Sequence, residues 1–359
     1  MITLEPHQRG IAHYTSRDLI LYSFGVGCNP KDDPNEIKYL YEHDKRFSAF
    51  PTFLLSLPFR AADGMNHTNG NHCPSLGFGM TPFPPPLMAP PSRLLASLAM
   101  EPPQNQQGAV IHLGQKFRLH KEIPFCSPDA EKQIPVRVGI ENRIISLRPH
   151  KNGTISTVES NFYIRDSTAE KNEQTLIATS QMVAFYPIRL SDGDTSTSTP
   201  VLPSSALNPV PFTKTAVRSV KVNPFASLRY KMANSQALLY RLSGDTNRIH
   251  VEGAPELFGT THPILHGLCT LGYAVRAIIS TYAKKSEECT YVECEFKRPL
   301  FVGDEIEIRM WEDKSRNDEK VVFFEARTTK NDEIVVDMGV ASLSQEQKSL
   351  GRGSLNAKL

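Results

Sequence analysis

Apolar and polar positions alternate over four segments in the middle of the chain: Ala109–Leu119, Ile134–Ile145, Thr154–Ile164 and Leu176–Phe185. Alternation of this kind, punctuated by turn residues such as His150-Lys-Asn-Gly153, predicts antiparallel strands. Ahead of them, helical spacing runs from Thr15 to Val26 and from Asn35 to Tyr41. The second half repeats that order. Ser235–Leu242 reads as a short helix and Pro263–Tyr282 as a longer one, with Leu265, Leu268, Leu271, Val275, Ile278 and Tyr282 on one helical period. Pro263 then falls near the first turn, which proline favours. Strand-like segments follow at Thr290–Leu300, Asp304–Trp311, Val321–Thr329 and Ile334–Leu343. A buried helix and four antiparallel strands, twice over, predict an α+β fold of two similar units. The halves share little obvious identity, so the repeat rests on element order.

Two tracts interrupt the pattern. Residues 61 to 108 are Gly/Asn/His-rich and then Pro-rich, with Pro82, Pro84, Pro85, Pro86, Pro90 and Pro91. Proline fixes φ and removes a donor, so this tract is neither a helix interior nor a central strand and reads as an insertion. Ser191 to Ser205 is polar and marks a linker. The expected organisation is a first unit over 1–190, the linker over 191–205, a second unit over 206–345 and a tail over 346–359.

Composition narrows the partners. Lys+Arg 40 against Asp+Glu 38 gives a formal charge of +2, which does not predict a nucleic-acid or membrane-surface partner. There is no apolar run of about 18 residues, as a membrane span would need. The start, Met1-Ile-Thr-Leu-Glu-Pro-His7, has no basic segment followed by an apolar stretch. Six scattered cysteines without a Cys-x-x-Cys pair predict reduced thiols and an intracellular setting. Ala357-Lys358-Leu359 at the other end is similar to the peroxisomal Ser-Lys-Leu address, so an import receptor is an expected partner and the peroxisome the expected compartment. The polar, Gly/Ser-rich stretch from Ser344 suits a tail that presents such a signal.

The chemistry concentrates in Tyr240-Arg-Leu-Ser-Gly-Asp-Thr-Asn-Arg-Ile-His250, followed by Pro263-Ile-Leu-His-Gly267. A carboxylate (Asp245), a carboxamide (Asn247) and an imidazole (His250) lie within one loop of each other. The carboxylate and imidazole can share a water, and free N–H groups at a helix start can hold an oxyanion. Gly-Asp-x-Asn alone reads more readily as an ordinary turn. His262 and His266 have an i, i+4 zinc spacing, but no Glu follows the first His as in metalloproteases, and no metal is expected. A nucleophile elbow, a phosphate-binding Gly-rich loop and a dinucleotide fingerprint are all absent from the sequence. Cys269 sits on an apolar helix face and reads as a packed thiol.

With its flanking residues, the passage resembles the signature of the MaoC-like (R)-specific enoyl-CoA hydratases. The resemblance continues in Phe296-Lys-Arg-Pro-Leu-Phe-Val-Gly-Asp304 and, more weakly, in Tyr22-Ser-Phe-Gly-Val-Gly27 and Phe50-Pro-Thr-Phe53. It implies two tandem hot-dog units, each a long helix wrapped by an antiparallel sheet. The first would have no catalytic motif of its own and would shape the acyl cavity. It implies hydration of a trans-2-enoyl-CoA to the (3R)-3-hydroxyacyl-CoA, reversibly, as in fatty acid β-oxidation, with the CoA thioester as substrate, no cofactor, and room for a homodimer. By the same resemblance Asp245 and His250 are the acid–base pair, Asn247 holds water or substrate, and the Gly267 N–H binds the thioester oxygen. Phe296, His112 and Leu113 then contact substrate, and Lys151 meets a CoA phosphate, although a solvated turn lysine is an equal reading. Two departures stand out: Arg248 where the family has Pro, and Leu113 where it has Gly. Arg248 would contact a phosphate or face solvent. A hydratase or dehydratase of a specialised acyl pathway, and a silent acyl-CoA-binding subunit, are the alternatives.

Overall fold

The computed structural model describes residues 8–63, 111–126, 134–165, 174–186, 224–283, 287–313 and 320–345. The insertion beyond residue 63, the linker and the tail lie outside the described residues. The first half contributes β1 (Gln8–Tyr14), α1 (Ser16–Gly25), β2 (Ala62–Asp63), β3 (Ile111–Leu119), β4 (Val136–His150), β5 (Gly153–Arg165) and β6 (Gln174–Tyr186). The second contributes β7 (Ala226–Lys231), α2 (Gln236–Tyr240), α3 (Ile249–Glu252), α4 (Pro255–Phe258) and α5 (Gly267–Tyr282). It ends with β8 (Glu287–Phe296), β9 (Glu305–Asp313), β10 (Lys320–Thr328) and β11 (Ile334–Gln345).

All these strands form one antiparallel sheet in the order β2-β1-β4-β5-β6-β3-β8-β11-β10-β9-β7. Counted outward from the centre, and leaving aside the two-residue β2 at the edge, each half places its second strand first, then its fifth, fourth, third and first. The internal repeat is therefore written in the sheet order itself. The halves meet where Gly114–Arg118 of β3 pairs with Tyr291–Glu295 of β8. β1 and β7, the first strand of each half, add to the four expected per unit.

Sequence pattern accounts for the strands. Val136, Val138 and Ile140 of β4, and Ile306, Ile308 and Met310 of β9, are buried at alternate positions. β10 is buried on both faces: Val322 and Phe324 join the main core, while Val321 and Phe323 join a smaller cluster with Trp311, Met338 and Val340.

α5 is buried on nearly every side from Leu268 to Ile278, as its almost wholly apolar sequence requires. It starts at Gly267, four residues after the expected Pro263. The backbone of Pro263–Leu265 is held extended instead, because Leu265 N–H donates to the Leu300 carbonyl and Val302 N–H to that of Pro263. The first half is filled by the shorter α1 and by the buried 3-10 turns of Phe53–Phe59, with Tyr14 and Tyr22 packed edge-on to Phe53. Pro58 within that segment denies it a backbone donor and keeps it from lengthening into a regular helix. α1 and α2, each following the first strand of its half, pack together; Gln236 Nε2 donates to the Gly25 carbonyl at 2.6 Å.

Candidate active site

The loop after α2 is shaped by one glycine. Gly244 closes the 3-10 turn Arg241–Ser243 with φ of 133°, and a Cβ there would meet Arg60 Cγ at 2.4 Å. The chain then turns inward. Asp245 Oδ1 accepts from Asn247 N–H at 3.1 Å, and Asn247 Oδ1 accepts from Ile249 N–H at 3.3 Å, opening α3. α3 carries His250.

His250 Nδ1 lies 2.9 Å from the Ile264 carbonyl. A carbonyl only accepts, so Nδ1 carries the proton of the neutral ring and Nε2 keeps its lone pair. That Nε2 is 3.9 Å from Asp245 Oδ2. The separation is too long for a direct hydrogen bond, yet it lets both atoms contact one water oxygen. Asp245, Asn247 and His250 are all drawn into one cavity with Gly267 of α5.

Burial sets the electrostatics. It raises the Asp245 carboxyl above the ordinary carboxylate range, against the pull of His250 and the Asn247 N–H. It lowers the His250 imidazole, against the pull of Asp245. Both shifts favour the uncharged forms.

The cavity, about 170 Å³, lies between the halves. The first half supplies Phe59, Ile111, His112, Leu113 and Met182; the second supplies Asp245, Asn247, His250, Phe296 and the rest of the lining. Three consecutive residues of β3 reach the wall because the register with β6 slips between His112 and Gly114, a bulge that re-aims this strand end. His112 Nε2 lies 3.0 Å from the Gly114 carbonyl and the ring meets Phe296 edge-on at 4.7 Å. Burial pushes His112 down to about 4. Gly267 is closely covered: a Cβ there would lie 3.2 Å from the Phe296 ring.

Two expected substrate contacts are not on this wall. Arg248 points outward and pairs with Glu252 one helical turn on, with Nε 2.9 Å from Oε2. Lys151 is exposed in the turn between β4 and β5. His266 was passed over in the sequence except as a zinc candidate, yet its ring stacks on His250 with centroids 3.5 Å apart. Asp245, His250 and His266 bring one potential metal-ligand atom each within 4.8 Å of one another. Parallel stacked imidazoles, however, direct their in-plane lone pairs alongside one another and not to a common point. Lys297 and Arg298, cavity residues from the segment after β8, were legible only as part of the Phe296–Asp304 motif.

Residues 215–334 match the MaoC like domain, and residues 13–81 match the MFE-2 hydratase 2 N-terminal domain. The second half is thus similar to the MaoC-like family, and the chain's two tandem hot-dog units are joined in one sheet. It is 28% identical over 351 residues to the peroxisomal hydratase-dehydrogenase-epimerase of Saccharomyces cerevisiae, covering 95% of this chain and 31% of that one. The peroxisomal enoyl-CoA hydratase 2 of Arabidopsis thaliana is 24% identical over 307 residues, 83% of this chain and 82% of that one. The crystal structure of a MaoC-like dehydratase from Phytophthora capsici superposes with a TM-score of 0.66 at 25% identity, covering 95% of this chain and 96% of that one. The chain spans less than half the length of the multifunctional relatives it matches.

Proposed function

We propose that this chain is an (R)-specific 2-enoyl-CoA hydratase, adding water to a trans-2-enoyl-CoA to give the (3R)-3-hydroxyacyl-CoA and catalysing the reverse dehydration. One observation carries the reading: Asp245 Oδ2 and His250 Nε2 face each other at 3.9 Å in a cavity also lined by Gly267, the first residue of α5.

The thioester carbonyl would accept from Gly267 N–H, which at a helix start has no intrahelical acceptor. Water held between the pair attacks C3 while His250 Nε2 takes its proton. The electron pair of the double bond moves toward C2 and the thioester oxygen, where the helix N-terminus favours negative charge. The Asp245 carboxyl, whose acid form burial favours, gives a proton to C2. The proton on His250 then crosses to Asp245, restoring both groups. One water is consumed, no cofactor enters, and the two new bonds are C3–O and C2–H.

The apolar wall from Phe59, Leu113 and Met182 suits the acyl chain, and Lys297 and Arg298 suit the CoA phosphates. We extend the proposal to a peroxisomal setting, in keeping with the relatives named above and with the Ala357-Lys358-Leu359 tripeptide, and to a role in fatty acid β-oxidation. Loss of enoyl absorbance on mixing the chain with crotonyl-CoA and with a medium-chain enoyl-CoA, with chiral analysis of the product, tests the reaction. A (3R) product supports it; a (3S) product or inactivity toward both substrates refutes it.

A further inference from the structure

His266 touches both Asp245 and His250 and precedes Gly267, and is not part of the cavity lining. It is 1% exposed. One face of its ring stacks on His250 at 3.5 Å with 22° between the planes, and the Tyr240 ring lies against it at 4.8 Å. Its Nε2 is 3.3 Å from the Asp245 carbonyl oxygen, which fixes Nε2 as the protonated nitrogen. Its own carbonyl accepts from Thr270 N–H at 3.1 Å and Thr270 Oγ1 at 3.3 Å, closing the first turn of α5 immediately behind Gly267. The remaining nitrogen, Nδ1, is buried with no hydrogen-bond partner. Such an orphan costs stability, on the order of 1–3 kcal/mol. A phenylalanine would fill much the same space without that cost, so packing alone does not explain an imidazole here.

We propose that His266 is a positioning residue: its ring holds His250 as a neutral base, and its Nε2–H ties the Asp245 loop to the start of α5. This rests on the hydratase reading. The two contacts divide the work. The stacked face keeps water off one side of the His250 ring, so protonating His250 would create a charge against an uncharged surface. The Asp245 carbonyl contact sets the backbone from which the carboxyl projects, and hence the gap that a water must span. The charged and titratable groups acting on His250 are Asp245 and Arg241, from the loop after α2, and His266. Burial, and then the neighbouring His250, keep His266 itself well below the ordinary imidazole range. Both effects favour a neutral ring in the stack.

Two variants separate the contacts. His266→Gln keeps a donor at the Nε2 position toward the Asp245 carbonyl and removes the ring. It should lower kcat about tenfold or more, leave KM within about threefold, and move the acid limb of the pH profile upward by about half a pH unit or more. His266→Phe keeps the ring and removes the donor; kcat should fall while the acid limb stays within about 0.2 units of the parent. Profiles that superimpose on the parent in both variants, with kcat within about twofold, would overturn the proposal. The parent chain supplies an independent test should neither variant fold. ¹⁵N-histidine NMR should show His266 as the neutral Nε2–H tautomer at about pH 7 and through the ordinary imidazole range, and a protonated or Nδ1–H form there would overturn the proposal. A parent without hydratase activity would instead refute the reaction, leaving the tautomer result to stand alone.

Discussion

At the scale of single residues, Asp245 and His250 are coupled by distance and environment and not by a direct hydrogen bond. Burial pushes the carboxyl up and the imidazole down, so the two groups titrate as one dyad whose measured values belong to the pair. The sign follows from the imidazole. Its folded value lies below the ordinary 6.5, so the neutral base persists above that lowered value and is lost as pH falls through it. The acid limb of kcat/KM, which reports loss of the neutral imidazole, should therefore lie below 6.5, with loss of the Asp245 proton setting the alkaline limb; an acid limb centred above 6.5 would contradict the assignment of His250 as base. Arg248, the departure inside the motif, has a plain reading at this scale. Its guanidinium pairs with Glu252 on the exposed face of α3, so a proline in its place would cost a surface ion pair, worth about 0–1 kcal/mol, and no cavity contact.

At the scale of elements, the first turn of α5 is the sensitive part. Gly267 brings its N–H into the cavity with the Phe296 ring close above, and an added methyl would press on that ring at 3.2 Å. In Gly267→Ala the ring must yield or the helix start must shift. kcat should fall roughly tenfold to a hundredfold, less than deleting an oxyanion donor outright, with far-UV circular dichroism unchanged. Full activity in this variant would remove Gly267 from the mechanism. The sequence made much of this legible. The eight anticipated strands lie within a few residues of those observed, because most alternate apolar and polar positions and β10, buried on both faces, carries a run of β-branched and aromatic residues. β7 carries the same alternation in Ala226, Leu228 and Tyr230, but over six residues, too few to stand out. The helix start at Gly267 was misread as Pro263 because a nonlocal partner, the strand-like segment at Leu300–Val302, holds those residues extended. The candidate loop was legible through its motif and flanking residues, since Gly-Asp-x-Asn alone reads as a turn. His266 was not, because its importance comes from a ring stacked across the site.

At the scale of the whole molecule, the cavity exists because the two halves share a sheet and a core. The first half supplies Phe59, Ile111, Leu113 and Met182 to its apolar wall, from positions more than sixty residues before Asp245, which no local pattern encodes. A second tie between halves is ionic. Arg276 of α5 donates through Nε to Glu36 and through Nη2 to Asp32, at 2.5 and 2.9 Å, with the arginine 4% and Glu36 6% exposed at the side chain. Asn29 N–H also bonds Glu36 at 2.6 Å. Arg276→Met would leave Glu36 buried with only that backbone donor, and urea denaturation should register a loss toward the lower end of about 3–5 kcal/mol. The double variant Glu36→Gln/Arg276→Met should recover most of it, since no unpaired charge remains. A single variant within about 1 kcal/mol of the parent would show that the pair contributes little to joining the halves.

The central claim is that Asp245 and His250 act as one unit on one water. Steady-state hydration of crotonyl-CoA by the parent, Asp245→Asn, His250→Gln and the double variant tests it most directly. Each single variant should lose about 10²–10⁴-fold in kcat with KM little changed, and the double variant should lose scarcely more than the worse single one. Retention of parental kcat by either single variant, or losses that simply multiply in the double variant, would contradict the account.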